Sequence, residues 1–365
     1  MPPTTPPNDA SAIARDLDLP PQGVAAVLRL ASEKATVPFI ARYRKEATGG
    51  LDEVQIRAIL ARSEALSELT ARRETVLESI EAQGKLTPEL RAAILRADTK
   101  AALEDLYLPF RPKRRTRATD ARDKGLEPLA DRLFEQRPGD LPPALAARFV
   151  NPTLGVPDLA AALAGARDIL AERVADNPAI RARARDALRR HGSLQSKPAR
   201  GKKETAEAQT FRDYFDFAEP VRRIPPHRVL ALRRGAAEKL LSVGIELAVE
   251  PLEAEVLPLV PVARGSRSAC SGEVVLATRD ALERLVLPSL EREVMSDLED
   301  FADGNAADVF AKNLEAILLA APLGPKRVVA IDPGLRTGNK CVALAETGRF
   351  LANTTIHTLG GAQDR

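Results

Sequence analysis

From Ser11 to about His191, apolar residues recur at three- and four-residue spacing, the period of a helix that buries one face. Prolines at first-turn positions and glycines just past the ends divide this stretch into successive helices. The clearest follows Gly49-Gly50-Leu51. Asp52 is placed to cap a long helix whose stripe runs through Ile56, Leu60, Leu66, Leu69, Val76, Leu77 and Ile80, with Gly84 at its exit. Thr87-Pro88-Glu89 opens another helix through Leu90, Ile94 and Leu95. Asn177-Pro178 opens one from Ile180 to His191, stopped by Gly192.

The pattern then changes. Residues 192–203, Gly-Ser-Leu-Gln-Ser-Lys-Pro-Ala-Arg-Gly-Lys-Lys, are polar, basic and poor in bulky apolar side chains, which predicts a linker or mobile loop over 193–203. Short helices are expected around Phe211 to Phe217 and Pro226 to Arg234, and a strand over the alternating stretch Leu241 to Val249. Two more helices follow, Asp280 to Phe301 and Asp303 to Leu319, the first with an acidic face of Glu291, Glu293, Asp297, Glu299 and Asp300. From Lys326 the chain reads as a strand ending in Asp332, a tight Pro333-Gly334 turn, a second strand through Cys341 to Ala345, a Glu346-Thr347-Gly348 hairpin and a third strand. The whole is mainly α, with a small β element and the first strands of a C-terminal α/β unit. Its expected divisions are a disordered start (1–10), a helical domain (11–192), the linker (193–203), a central helical region (204–325) and the strands from 326 to 365. A domain begun at Lys326 has only about forty residues, against the on the order of 50–250 usual for a domain, so it is expected to be incomplete.

Composition narrows the function classes. The 365 residues are 44% hydrophobic, enough for substantial cores, and 54 Lys and Arg nearly balance 51 Asp and Glu. Bulk charge therefore demands no polyanion, and local clusters must carry that argument. The apolar runs fall far short of the roughly twenty residues that span a bilayer, and the Pro-rich start lacks a signal peptide's apolar segment, so a cytoplasmic protein without membrane contact is expected. Two cysteines, Cys270 and Cys341, and three scattered histidines make no disulfide framework or zinc site, and no cofactor is implied.

Cations cluster twice. In Phe110-Arg111-Pro112-Lys113-Arg114-Arg115-Thr116-Arg117 the prolines forbid a regular helix and leave Arg111, Lys113, Arg114, Arg115 and Arg117 splayed toward solvent. Such a loop suits phosphate, because each neutralising cation releases counterions without reading sequence. Arg222, Arg223, His227, Arg228, Arg233 and Arg234 surround a short helix opened by Pro225-Pro226, of a kind that enters a groove in helix-turn-helix modules. The competing reading is a set of solvated faces, with the acidic helix near Glu291 neutralising the second group. In Val37-Pro38-Phe39-Ile40-Ala41-Arg42-Tyr43-Arg44-Lys45-Glu46, apolar anchors alternate with cations. The favoured reading packs Phe39, Ile40 and Tyr43 into a helix junction and pairs Arg44 with an acid such as Glu46 or Asp52; the other turns Arg42, Arg44 and Lys45 to nucleic acid or a protein partner.

Together these phrases carry a resemblance. Residues 37–46, Leu106 to Thr116, Phe211-Arg212-Asp213-Tyr214-Phe215-Asp216, Phe310-Ala311-Lys312-Asn313-Leu314 and Ile331 to Gly338 look like the Tex family of bacterial transcription accessory proteins. The likeness covers nearly the whole chain apart from the first dozen residues. It implies an elongated helical scaffold and, near Lys326, the start of a YqgF-type domain of RNase H-like fold. It further implies nucleic-acid binding, RNA or DNA, linked to the transcription machinery. A helix-hairpin-helix region and an OB-fold RNA-binding domain would follow in the family, and the resemblance implies that these 365 residues stop before them. One departure is Asn339 before Lys340, where the family usually places an apolar residue.

Asp332 is the weak catalytic candidate. RNase H-like nucleases hold two metal ions with several carboxylates, and Asp332 matches only the first-strand acid, so the chain is expected to act as a non-catalytic scaffold with no bound metal. The alternative is a metal-dependent nuclease in the complete protein. A strand-end turn, with the Asp332 carboxylate bonding backbone N–H groups around Gly334, is the structural reading. An actin-like nucleotide binder is a third class, which Leu335-Arg336-Thr337-Gly338 only partly supports.

Overall fold

The computed structural model describes residues 7–112, 115–260, 268–321, 323–334 and 338–357. They form a mainly α protein with two small antiparallel sheets. Helix α1 (Pro7–Leu17) takes in four positions expected to be disordered, while residues 1–6 lie outside the described range. Helices α2 (Pro21–Ser32), α3 (Val37–Tyr43) and α4 (Lys45–Thr48) follow, then the long α5 (Glu53–Ala82). Asp52 caps α5 as expected: its carboxylate accepts the Gln55 N–H at 2.8 Å and its own N–H donates to Gln55 Oε1 at 3.0 Å.

The helix α5 serves two cores. Ile56 and Ile59 close the first, with Ile13, Val24, Val27, Leu30 and Ile40. Leu69, Val76 and Ile80 enter the second, with Ile94 of α6 (Pro88–Arg96) and Leu103 and Tyr107 of α7 (Lys100–Tyr107). In the first core α2 lies so close to the end of α4 that a Cβ on Gly23 would stand 2.5 Å from the Thr48 carbonyl oxygen. Thr48 is fully buried there, its hydroxyl donating to the carbonyls of Arg44 and Lys45 at 3.2 and 3.3 Å.

Helices α8 (Arg117–Asp123), α9 (Glu127–Glu135), α10 (Pro142–Ala146), α11 (Leu159–Ala175) and α12 (Pro178–His191) continue the array. Asn177 caps α12 through its side-chain oxygen. The segment expected to be a linker is instead β1 (Ser193–Pro198), the central strand of the first sheet. After the four-residue α13 (Ala206–Gln209), β2 (Phe217–Pro220) pairs with one side of β1, and β3 (Leu241–Glu246) with the other, both antiparallel. Only Leu194 is a bulky apolar residue in β1. It is fully buried, and Ser196 is buried beside it with its hydroxyl on the Tyr214 carbonyl at 2.5 Å. Pairing on both edges, which local composition does not register, makes this polar segment a strand.

Between β2 and β3 lies α14 (Pro226–Ala237), so its neighbours along the chain are strands rather than the partner helix of a helix-turn-helix. Helix α15 (Val249–Val256) precedes α16 (Cys270–Asp280), which runs through a wide π-type turn, Ala281–Val286, into α17 (Leu287–Leu318). Widening the helix just before Pro288 accommodates a residue that has no N–H to give. The two helices expected on either side of residue 302 are therefore one, and Gly304 lies within it at a cost of about 1 kcal/mol relative to alanine. At the C-terminus, β4 (Val328–Asp332), β5 (Asn339–Leu344) and β6 (Phe350–Ile356) form an antiparallel meander in the order read from sequence.

The chain forms two compact units, one of residues up to Ile224 with Ala231–Leu298, the other of Pro225–Leu230 with residues from Glu299 onward. In the first, a buried ionic network ties three helices. The Asp105 carboxylate of α7 accepts Arg181 Nε at 2.6 Å and Arg185 Nη2 at 2.8 Å, both from α12, while Arg185 Nε reaches Glu293 of α17 at 2.5 Å. Burial alone would lower the pKa of Arg185, but the hydrogen bond to Glu293 and the charge and bond of Asp105 outweigh it and hold the guanidinium above its ordinary value.

Two stability measurements test this packing. Gly23→Ala forces the new methyl against a backbone carbonyl and should lower stability in urea denaturation by about 1–3 kcal/mol. Asp105→Asn removes the charge that two buried guanidinium groups share and should cost roughly 3–5 kcal/mol in the same assay; a loss below about 1 kcal/mol would show that solvent already compensates the pair.

Candidate nucleic-acid interface

The root of the first basic loop is firmly held. The Tyr107 hydroxyl lies 2.9 Å from Ser79 Oγ, Gln83 Nε2 donates to the Phe110 carbonyl at 2.9 Å, and the Arg72 guanidinium stands over the Tyr107 ring while binding Glu104 at 2.5 Å. Arg111 emerges exposed from a 3-10 turn, Leu108–Phe110, and makes no ion pair among the described residues. Lys113 and Arg114 lie outside the described residues. Arg115 is exposed but engaged: it donates to Asp120 and lies 3.7 Å from Asp123, and these contacts raise its pKa. Thr116 caps α8, its Oγ1 accepting the Thr119 N–H at 3.1 Å, which sets exposed Arg117 at the helix start.

Behind this loop is a cavity of about 210 Å³ lined by Thr116, Arg117, Asp168, Glu172, Arg284 and Ser289, among others. Burial pushes the Asp168 carboxyl up, and Arg284, 3.0 Å away, opposes that rise without cancelling it. Glu172 binds Arg122 at 2.7 Å. The cavity's acids are thus matched to arginines of the same fold.

The second basic cluster is apportioned between the two units. Arg222 and Arg223 are exposed in the turn before α14 and make no ion pair among the described residues. Arg233 is half-buried, and Arg234 pairs with Glu238 one helical turn on, at 2.9 Å; these four belong to the first unit. Exposed His227 and half-buried Arg228 belong to the second. Three of the five acids expected on the acidic face of α17 are engaged away from the cluster: Glu291 accepts the Ile245 N–H at 2.9 Å, Glu293 binds Arg185 and Asp297 binds Arg189 at 2.5 Å.

One further groove had no counterpart in the sequence reading. Alanines 93, 97, 101, 102, 179 and 182 line an open groove of about 980 Å³ between α6, α7 and α12, together with Arg96, Arg183, Arg185 and Arg189 and the acids Asp105 and Asp186; Arg183 and Arg189 are themselves paired, with Glu255 and Asp297. The arginine run 181–190 was the available signal, but its spacing does not separate Arg181, which turns wholly inward, from Arg183, Arg185 and Arg189, which line the groove.

The phrase 37–46 divides differently from the favoured expectation. Ile40 is fully buried, but Tyr43 is 68% exposed and Phe39 39% exposed, and Arg44 lies on the Phe39 ring, 5.0 Å from its centroid, rather than against Glu46 or Asp52.

Asp332 is exposed at the end of β4, opposite Lys340 in register. The Gly334 N–H, expected to bond Asp332, donates instead to Asn339 Oδ1 at 3.1 Å, so the departure from the family pattern has a structural role. Gly338 holds φ +79° where a Cβ would meet Thr355 and His357 within 2.8 Å, while Leu335, Arg336 and Thr337 lie outside the described residues. Among the described residues no group of three or more His, Cys, Asp or Glu side chains is placed to hold a metal ion, and no helix is long and apolar enough to cross a membrane.

Comparison with known proteins agrees with this architecture. Residues 7–81 match the family described as Tex-like protein N-terminal domain, and residues 137–310 match the Tex central region-like family. Protein tex of Bordetella pertussis is 44% identical over 94% of this chain and 44% of its own length. Transcriptional accessory protein Tex of Neisseria gonorrhoeae is 40% identical over 96% of this chain and 46% of its own. The human S1 RNA-binding domain-containing protein 1 is 27% identical over 93% of this chain and 35% of its own. The chain spans less than half the length of these relatives. With its N-terminal and central regions both matched and its helical array in place, the chain belongs to the Tex family.

Proposed function

We propose that this chain is a nucleic-acid-binding scaffold that assists transcription, working in the cytoplasm and performing no chemistry itself. The observation that carries the reading is how its arginines are used. Arg62, Arg72, Arg122, Arg132, Arg167, Arg173, Arg181, Arg185, Arg279 and Arg284 each bind a carboxylate of the fold. Arg111, Arg222 and Arg223 remain exposed and outside any ion pair among the described residues, and Arg117 is exposed as well, although its charge also acts on Asp168. Cations left without an internal partner are the ones free to displace counterions from a phosphate backbone. Arg115 and Arg234, engaged by acids, contribute less. Relatives named for transcription and for an RNA-binding domain support the choice of partner.

We further assign the meander β4–β6 as the opening of a YqgF-type, RNase H-like domain, which suits a carboxylate at the end of its first strand. Asp332 acts there as a strand-end residue. Its turn is closed by Asn339, and Lys340 stands across from it.

Two experiments test these readings. Arg111→Ala combined with Arg117→Ala should weaken binding to any single-stranded oligonucleotide and reduce the slope of log affinity against log salt by about 1.4, the share of two phosphate contacts. An unchanged slope would remove this loop from the interface. Incubation of RNA or DNA with magnesium or manganese should leave the polymer intact; metal-dependent cleavage abolished by Asp332→Asn would establish the nuclease alternative instead.

A further inference from the structure

The α3–α4 corner presents aromatic and cationic groups that the cores do not use. Ile40 anchors α3 from below, fully buried, while Phe39 and Tyr43 sit on the outer side with ring centroids 5.5 Å apart and planes inclined at 40°. The Arg44 guanidinium covers the Phe39 ring and is itself held by a 3.1 Å bond from Nη1 to the Tyr43 carbonyl. Arg44, Phe39 and Tyr43 thus form a short row of contacts, tilted between the two rings and fixed at the Arg44 end. Exposed Arg42 and Lys45 flank it. The acids nearby are Glu53, which approaches Arg42 only to 3.9 Å, and exposed Glu46.

The corner is also rigid. The close approach of Gly23 to the Thr48 carbonyl, the buried Thr48 hydroxyl bonded back to Arg44 and Lys45, and the left-handed Gly49 that ends α4 fix the backbone beneath these side chains. An exposed aromatic ring on fixed backbone loses little freedom when it is covered. Burying the open surface of Tyr43 is favourable, and the cations around it call for an anionic partner that also offers flat apolar faces. A single-stranded nucleic acid has both, bases for the ring and phosphates for Arg42 and Lys45.

We propose that the α3–α4 corner is a stacking platform for single-stranded nucleic acid, with a base on Tyr43 and the adjoining phosphates on Arg42 and Lys45. This site rests on the nucleic-acid reading given above but is separate from the loop at 111–117. It discriminates by strandedness, because a base within a duplex already has both faces covered, whereas the arginine loop contacts phosphate in either form.

Tyrosine emission gives a direct readout, since the chain has no tryptophan and three tyrosines, of which Tyr107 is buried. Titrating the 365-residue chain with a short single-stranded RNA should quench this emission, and the blunt duplex of the same sequence should quench it much less. Tyr43→Ala should lower single-strand affinity about tenfold, within the range measured for stacked bases, and leave duplex affinity within about twofold. Tyr43→Phe should keep the affinity and lose the quenching. Unaltered single-strand affinity in Tyr43→Ala, the outcome if the corner instead docks a protein, would overturn the platform while the scaffold reading stands. Equal losses for single strand and duplex would also overturn it. Absence of all nucleic-acid binding by the unmodified chain would remove both readings together.

Discussion

A carboxylate that is almost wholly enclosed needs cations around it, and in this protein Asp105 draws two guanidinium groups from α12 and, through Arg185, a second carboxylate from α17. The first unit is organised around that requirement. Arg167 with Glu273 and Arg279 with Glu253 bind α11 and α15 to α16, and Arg284 crosses from the π turn to Asp168 of α11. In a chain with 54 cations and 51 anions, internal pairing is the default state of an arginine. Function is therefore to be sought where pairing stops.

That criterion changes the weight of the basic clusters. Density of Arg and Lys in the sequence made the loop before α8 the leading candidate, yet Arg115 is turned back on its own helix by Asp120 and Asp123. The turn after β2 gains, because Arg222 and Arg223 stay exposed while Glu291, Glu293 and Asp297 of α17 are occupied with α12 and β3. The α3–α4 corner gains for a related reason, since Arg44 spends its charge on an aromatic face and thereby orders a surface instead of closing an ion pair.

Local signals in the sequence were faithful wherever the structure is decided locally. Asp52 after Gly49-Gly50-Leu51, Thr87 before Pro88, and Asn177 before Pro178 announce helix starts by their own chemistry, and each is found capping. The meander after Lys326 was legible because alternation and turn residues coincide there. Ser193–Pro198 was not, since its identity as a strand comes from β2 and β3, whose Glu219 and Ile245 both pair with Leu194 from 25 and 51 residues further along the chain (219 − 194 and 245 − 194). The break expected near Gly304 failed because one glycine's cost is small beside the continuity of a 32-residue helix. At the candidate interface, the sequence showed which cations exist but not which are consumed, because Arg181 and Arg183 differ only in the direction they face. Asn339 was read as a tolerated oddity; its bond to Gly334 became visible only once the turn was closed.

The Glu291 contact has a consequence beyond neutral bookkeeping of acids. Strand β3 is one of the two outer members of its sheet, with a backbone edge of the sort that recruits foreign strands. By accepting the Ile245 N–H, the carboxylate occupies one rung of that ladder and sets a negative charge beside it. A second polypeptide approaching β3 as an additional strand would have to evict it, so one side chain of α17 guards that edge against self-association.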